Sequence, residues 1–340
     1  MTTYNIALNF EDGVTRVITC DDDEKVTEAA FRQKINIPMD CRDGVCGTCK
    51  CFAEKGEYDL EFYMDEAMTE EEAEQGYVLT CQMTPESDCV IRIPASSAAC
   101  KTAPESIGAT VAEVERLSET SFGLTVTMDK AISFLPGQYV NITVPGTDAP
   151  RSYSFSSLPG TDTGTFLIRN LPGGVMSSYL ADRAATGDAV TLTGPMGAFY
   201  LRPITRAQVW LAGGTGLAPF LSMLEQVAVQ GSDHPITLYY AVTRAADLVE
   251  LDRVTELATK IGNVKVITIL AAADEEHDRK GFVTDHLTAG DLVEGDCDVY
   301  LCGPPPMVDA VRAHFDSLGV APQNFYFEKF NPTETEAAAA

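Results

Sequence analysis

The sequence predicts a multidomain chain: a small cysteine-rich α+β domain, then an antiparallel β-barrel or sandwich, then an α/β lobe on a parallel sheet. Three observations carry this. The chain has 340 residues, enough for two or three domains. Cys41, Cys46, Cys49 and Cys51 crowd one short stretch within the first hundred residues. Beyond Gly108 the pattern changes twice, first to short β-rich runs broken by Pro and Gly, then, from Ala207, to apolar strands alternating with helical stretches.

Residues 3–9 and 14–20 read as two short strands joined by the turn Glu11-Asp12-Gly13, and residues 26–35 have helical spacing. The cysteine stretch follows as a loop, residues 66–75 as a short acidic helix, and Cys89–Ile93 as an alternating last strand stopped by Pro94. The small, polar run ASSAACKTAPES reads as a linker. VAEVERL, FGLTVTM, GQYVNITV, TFLIRN and AVTLTG supply the strands of the second domain. In the third, VWLAGG, ITLYYAV, VKVITIL and DVYLCG are parallel strands, and APFLSMLEQVAVQ, LDRVTELATKI and MVDAVRAHFDSLG are crossover helices. The expected boundaries are 1–98, a linker at 99–106, 107–205, 206–335 and a tail at 336–340, with Asn331 and the Ala-rich end mobile.

No run approaches the roughly 18 apolar residues that span a bilayer. MTTYNIALNFEDG lacks the basic and apolar regions of an export signal. A soluble cytoplasmic protein with no membrane partner is expected. Net charge is 24 − 50 = −26, which argues against nucleic-acid binding, since that needs a basic footprint. Residues 1–100 hold 21 Asp/Glu against 8 Lys/Arg, or −13, so under a third of the chain carries half the surplus. That excess is either simple solubility or an acidic face that steers a basic partner. In a reducing compartment, clustered cysteines point to metal or catalysis rather than disulfides.

Cys41, Cys46 and Cys49 follow C-x4-C-x2-C, and Cys81 stands 32 residues beyond. That is the spacing of a plant-type [2Fe–2S] cluster, in which one tight loop brings three thiolates and a distant segment brings the fourth. Gly44 and Gly47 let the backbone approach, so that its N–H groups can point at cluster sulfurs. A zinc site usually takes two separate C-x2–4-C pairs, and only one such pair is well formed. Cys89 is the rival fourth ligand, although alternation places it with Ile91 and Ile93 on one strand face. With Leu79-Thr80-Cys81-Gln82, this stretch resembles the plant-type ferredoxins over residues 1–95. The resemblance implies a β-grasp fold with the cluster near its surface, and Cys81 rather than Cys89 as ligand.

Arg151-Ser152-Tyr153-Ser154 offers a pyrophosphate clamp, an aromatic face and a hydroxyl for a ring nitrogen. Gly173-Gly174-Val175-Met176-Ser177-Ser178 opens a helix, where backbone N–H groups make an anion site. In this order the two resemble the ferredoxin–NADP reductase superfamily, which implies that Arg151 meets the FAD pyrophosphate, Tyr153 the isoalloxazine or ribitol, and Ser154 the N5 side. Ser177 and the backbone of Gly174–Ser178 would meet phosphate. Some members hold FMN instead. Gly213-Gly214-Thr215-Gly216 runs from strand into helix, with Pro219 where a third glycine would complete the usual dinucleotide fingerprint. The departure fits the same superfamily, as does Cys302-Gly303-Pro304-Pro305-Pro306-Met307, whose cysteine would lie beside the nicotinamide. Arg244 allows a 2′-phosphate and Asp247 favours a free ribose diol; the few bases nearby favour NADH. In Phe325-Tyr326-Phe327-Glu328-Lys329-Phe330, either Phe330 or Phe327 would cover the flavin, and Phe330 joins Ser154 and Cys302 as an expected catalytic residue.

NADH yields two electrons at once and a [2Fe–2S] cluster takes one, so a flavin between them is required. The four histidines are scattered with polar neighbours, and no Cys-x-His pair suits a Rieske centre. Oxygen activation is therefore expected in a partner. The order ferredoxin, flavin, nicotinamide resembles reductase components of bacterial ring-hydroxylating dioxygenases of the benzoate, toluate and anthranilate type. The resemblance implies a β-grasp ferredoxin, an antiparallel β-barrel flavin domain and an α/β parallel-sheet nicotinamide domain that feed a Rieske oxygenase component. Reductases of soluble di-iron monooxygenases share the order. A flavin–iron redox sensor and a zinc module on an inactive reductase are the other readings.

Overall fold

The computed structural model describes residues 2–39, 41–101, 104–147 and 149–330. Thr102 and Ala103 of the expected linker lie outside these, as do the residues from Asn331 on, the 336–340 tail among them. The chain divides into two units, Met1–Glu105 with Gly194–Ala198, and Ser106–Thr193 with the residues from Phe199 on.

The first unit contains β1 (Thr3–Phe10), β2 (Thr15–Asp21), α1 (Val26–Arg32), β3 (Lys50–Lys55), β4 (Tyr58–Leu60), α2 (Glu70–Glu74), β5 (Tyr77–Leu79), β6 (Met83–Pro85) and β7 (Cys89–Ile93). Its main sheet runs β2-β1-β7-β3-β5, with β1 and β7 parallel. Ile6, Leu8 and Phe10 alternate inward from β1 against Ile91 and Ile93, with Val26, Ala29 and Ala30 of α1 over them. Each fully buried Ile or Leu contributes about 1.5–3 kcal/mol. Helix α1 stops three residues short of the expected 35, because Lys34 is left-handed at φ 67° and Ile35 N–H turns back to the Ala30 carbonyl. Helix α2 begins at 70 rather than 66, where Thr69 and Glu72 form a capping box. Cys89 belongs to this core, with its thiol 3.3 Å from the Ser87 carbonyl. The expected linker starts buried: Cys100 sits in the same core, and its carbonyl accepts from Asn36 N–H at 2.7 Å.

The next strands are β8 (Glu105–Arg116), β9 (Ser121–Met128), β10 (Tyr139–Thr143), β11 (Pro150–Ser154) and β12 (Thr163–Arg169), followed by α3 (Val175–Asp182) and β13 (Ala189–Met196). They form one sheet in the order β11-β10-β13-β8-β9-β12. Phe155, just past β11, pairs with Phe166 of β12 and nearly closes the barrel. Inside it Phe134 stacks on Phe155 with ring centres 3.9 Å apart.

Then come β14 (Ala207–Gly213), α4 (Ala218–Gln230), β15 (Ile236–Val242), α5 (Leu251–Ile261), β16 (Val264–Leu270), β17 (Cys297–Gly303), α6 (Pro305–Leu318) and β18 (Asn324–Lys329). All five strands are parallel, in the order β16-β15-β14-β17-β18. Chain order reverses between β14 and β17, so the crevice beyond their carboxyl ends is the ligand-binding position of such a sheet. One face buries Trp210, Phe220, Leu221 and Leu224 of β14 and α4; the other buries Val308, Val311 and Phe315 of α6.

Barrel and α/β lobe are clasped together. Arg253 of α5 donates to the Ser156 carbonyl and to Glu225, each at 2.6 Å, and Ser222 donates to the Ser157 carbonyl at 2.6 Å. Arg202 lies between the rings of Tyr200 and Tyr326, 4.1 and 3.9 Å from their centres.

Candidate functional site

The cysteine loop is shaped by two glycines. Gly44 and Gly47 both sit at φ +74°; a Cβ on Gly44 would run into the Phe62 carbonyl, and one on Gly47 would stand 3.0 Å from the Ala67 carbonyl oxygen. With no side chain there, Met64 N–H bonds the Gly44 carbonyl at 3.1 Å and the loop closes down. The distant ligand arrives through Thr80, whose N–H and hydroxyl both reach the Cys49 carbonyl at 3.2 Å. Cys49 and Cys81 are buried against Ala67, Met68 and Leu79, while Cys41 and Cys46 are half-exposed. Among the described residues no three His, Cys, Asp or Glu side chains converge on a single ion. The thiols instead lie as two neighbouring pairs, Cys41 beside Cys46 and Cys49 beside Cys81. Two pairs of thiolates, one pair per iron, are what a [2Fe–2S] cluster takes. The neighbouring Cys49 thiol, and then Gln82 and the Gly44 amide, lower the Cys81 thiol. Further amide and side-chain donors come from Asp43 N–H, 3.4 Å from Cys41 Sγ, and Gln82 Nε2, 3.7 Å from Cys81 Sγ. The residues present fit the cluster.

The flavin stretch lies on β11 and at the start of α3. Ser152 donates to Asn141 at 2.6 Å, Tyr153 packs on the barrel core, and Ser154 is buried. Arg151 is half-buried, with its guanidinium 2.9 Å from the Pro150 carbonyl. The Gly174 N-cap gives α3 no side-chain cap, so the first amides, at Val175 and Met176, have no capping side chain. The Ser177 hydroxyl is committed within the turn: it accepts from Leu171 N–H at 2.8 Å and donates to the Arg169 carbonyl at 3.3 Å.

The two nicotinamide markers interlock. A Cβ on Gly216 would strike the Cys302 carbonyl, and one on Gly213 would stand 2.6 Å from Met307 Sδ. Gly214 is different: at φ +56° it faces open space. Gly214–Leu217 forms a 3₁₀ turn running directly into α4, with Pro219 in the first turn and no side-chain cap. An open glycine loop at an uncapped helix start fits a diphosphate.

Barrel and lobe meet at the catalytic candidates. The buried Ser154 hydroxyl donates to Glu328 Oε2 at 3.3 Å. Glu328 stands opposite Cys302 in the β17–β18 register. Cys302 is fully buried, and burial, then the Glu328 charge, pushes its thiol well up. Phe330 N–H bonds the Gly303 carbonyl at 3.1 Å, and its ring packs on the lobe core. Phe327 points to the other face, where Arg312 lies 4.3 Å over its ring. Thus Ser154 reaches Glu328, which stands opposite Cys302 and two residues before Phe330. Glu328 is the member sequence reasoning missed; its alternation with Tyr326 and Phe330 in the last strand was the available signal.

Asp247 sits in the turn after β15. Its carboxylate accepts from the Thr120 hydroxyl at 2.5 Å and from Arg244 N–H at 3.2 Å. The Arg244 guanidinium is 3.0 Å from Glu275 and 3.3 Å from Asp274. These hydrogen bonds, from Glu275 first, push Arg244 up. Glu275 is held below the usual carboxylate range, first by the Ala245 amide and then by Arg244. Nothing in the local sequence signals this cluster, because the acids lie some thirty residues beyond the arginine.

A paired-thiolate loop carried with a flavin-type barrel and a nucleotide-binding lobe defines an iron–sulfur flavoprotein reductase. Three family models match: a 2Fe-2S iron-sulfur cluster binding domain at residues 9–86, an oxidoreductase FAD-binding domain at 109–200 and an oxidoreductase NAD-binding domain at 210–313. The toluate 1,2-dioxygenase electron transfer component of Pseudomonas putida is 53% identical over 331 residues, covering 96% of this chain and 98% of its own. The 2-halobenzoate 1,2-dioxygenase electron transfer component of Burkholderia cepacia is 48% identical, covering 97% and 98%. The solved cytochrome P450 reductase GcoB of Amycolatopsis superposes with a TM-score of 0.73 at 31% identity, covering 96% and 99%. The chain belongs to the family of electron transfer components of aromatic-ring dioxygenases, oxidoreductases that use FAD, a [2Fe–2S] cluster and a nicotinamide coenzyme. No helix among the described residues is long and apolar enough to cross a membrane.

Proposed function

We propose that the chain draws electrons from NADH and delivers them singly to the Rieske-type oxygenase component of a dioxygenase acting on a benzoate-like aromatic acid. The observation that carries this is the hydrogen bond from Ser154 of the barrel to Glu328 of the nicotinamide lobe, opposite Cys302, in a chain that also holds the two thiol pairs. The bound groups supply hydride acceptance at the flavin and single-electron carriage at the cluster.

The chain's own residues bind and orient. Arg151 and the Val175 and Met176 amides hold the flavin diphosphate, with Ser177 fixing the turn rather than touching phosphate. Tyr153 lies against the flavin, and Ser152 braces the strand through Asn141. Ser154 places its hydroxyl at the N5 side, oriented by Glu328. Gly213, Gly214, Thr215 and Gly216 hold the coenzyme diphosphate, and Asp247 reads the ribose diol. Cys302 and Gly303 line the nicotinamide position, where burial, and then the Glu328 charge, keep Cys302 a neutral thiol. Phe330 would cover the flavin. Cys41, Cys46, Cys49 and Cys81 bind the irons.

The relatives' names support the acceptor, since both are electron transfer components of dioxygenases acting on benzoate-type acids. The test mixes the purified chain with Rieske oxygenases for benzoate, toluate and anthranilate and follows NADH oxidation. Aromatic-dependent NADH consumption with one of them is expected. NADH-driven reduction of flavin and cluster without transfer to any of the three would overturn the acceptor assignment.

A further inference from the structure

The turn after β15 holds a guanidinium where a 2′-phosphorylated coenzyme would need one. In parallel sheets of this kind the ribose is read beyond the strand next to the diphosphate loop, and an arginine there accommodates a 2′-phosphate. Arg244 occupies that place, directly after β15, whose neighbour β14 carries the glycine loop. Yet its charge is already used. Beyond the paired ends of β15 and β16, Ala271 N–H bonds the Val242 carbonyl and Ala272 N–H bonds the Thr243 carbonyl, each at 2.9 Å. Those two bonds carry the following loop alongside Arg244 and set Asp274 and Glu275 on its guanidinium, at 3.3 and 3.0 Å. The second Glu275 oxygen takes the Ala245 amide at 2.7 Å, which fixes the carboxylate in place. Asp247 takes the Arg244 amide from the other side. The cluster thus sets two carboxylates on one guanidinium and a third on the same residue's amide, with the Lys280 ammonium, 3.3 Å from the Ala273 carbonyl, as a second cation near Asp274.

We propose that Asp274 and Glu275 set the coenzyme preference of this reductase by sequestering Arg244, the guanidinium placed to take a 2′-phosphate. The proposal rests on the coenzyme assignment above and adds the residues that enforce it. A free 2′-hydroxyl needs only an acceptor, which Asp247 supplies. A 2′-phosphate would have to displace Glu275 from a guanidinium and an amide at once, and would then sit against the displaced carboxylates. Arg244 is a latent phosphate site, blocked by its own neighbours.

The test uses the full flavin- and cluster-loaded chain, two ligands and a double-mutant design. Binding of adenosine 2′,5′-bisphosphate and of AMP is measured by calorimetry, and kcat/KM for NADPH and NADH is measured with ferricyanide as acceptor. In Asp274→Asn/Glu275→Gln the bisphosphate should gain about ten- to a hundredfold over AMP, the range that a charge-assisted hydrogen bond to phosphate supplies. The NADPH/NADH ratio should rise in parallel. Adding Arg244→Ala to that variant should remove the gain, whereas Arg244→Ala alone should move the ratio less than about twofold, because the side chain is already engaged. Unchanged ratios in the double variant overturn the proposal while leaving the NADH reading intact. So does a gain that survives loss of Arg244, since it would reflect charge removal alone. A wild-type chain that turns over NADPH better than NADH overturns the coenzyme reading and the proposal together.

Discussion

Gly216→Ala isolates the contact that sets the coenzyme loop. The added Cβ would strike the Cys302 carbonyl oxygen and stand 2.7 Å from its carbon and 3.2 Å from Gly303 N. Ordinary contact begins at 3.4 Å, so relief from the carbon alone requires 3.4 − 2.7 = 0.7 Å of backbone movement. Neither side can yield freely: Gly216 and Cys302 are both buried, and Cys302 is held in the β14–β17 ladder. Overpacking of this kind costs about 1–3 kcal/mol in stability. The functional cost is of the same order, because a misplacement of about 1 Å in a positioning element can lower rate about a hundredfold, or about 2.7 kcal/mol. The expected outcome is a kcat/KM for NADH reduced about 30- to 100-fold. Flavin content, cluster absorbance and dithionite reduction should be unchanged, since none of them involves this loop. Gly214→Ala is the contrast: its Cβ meets nothing, but φ +56° costs about 1 kcal/mol, and its methyl projects into the space over the loop. If Gly216→Ala keeps kcat/KM within about threefold of wild type while the protein is folded and flavinated, the interlock does not position the coenzyme and the reasoning fails.

Ser154→Ala should retain FAD yet slow flavin reduction by NADH about tenfold or more in stopped flow, and Glu328→Ala should do so to a similar degree, because the two act through one hydrogen bond; additive losses in the double variant would refute the coupling. Cys49→Ser should abolish cluster reduction and leave NADH-to-flavin transfer within about twofold, and equal loss of both steps would contradict separate sites. Arg253→Ala removes donors to Ser156 and Glu225 and should lower stability by about 1–2 kcal/mol in denaturant unfolding; no change would show the clasp to be incidental. If the surplus of −13 over residues 1–100 steers the oxygenase, raising salt from about 0.05 to 0.5 M should slow transfer to it while leaving NADH-to-flavin transfer level.

What the sequence made legible is what depends on short-range geometry. The C-x4-C-x2-C loop, the glycine turn and the alternating strands each state a local requirement, and the structure builds each where the spacing puts it. Two helix ends were missed for different reasons: Thr69 and Glu72 spell a capping box that the acidic run from 66 obscured, whereas Lys34 gives no sign that it will turn left-handed. The barrel's closure through Phe155 and Phe166 could not be separated from a sandwich, because pairing register is a property of the sheet and not of either run. The same limit hid Glu328, Asp274 and Glu275. Glu328 matters because β18 lies beside β17 and places it opposite Cys302; Asp274 and Glu275 matter because the β15–β16 ladder continues past its last strand residue. In each case a carboxylate without a motif gains its role from a strand neighbour more than twenty residues away. The acids that tune such a site are therefore found from sheet order, and substitutions that preserve every local motif can still redirect the chemistry by shifting one register.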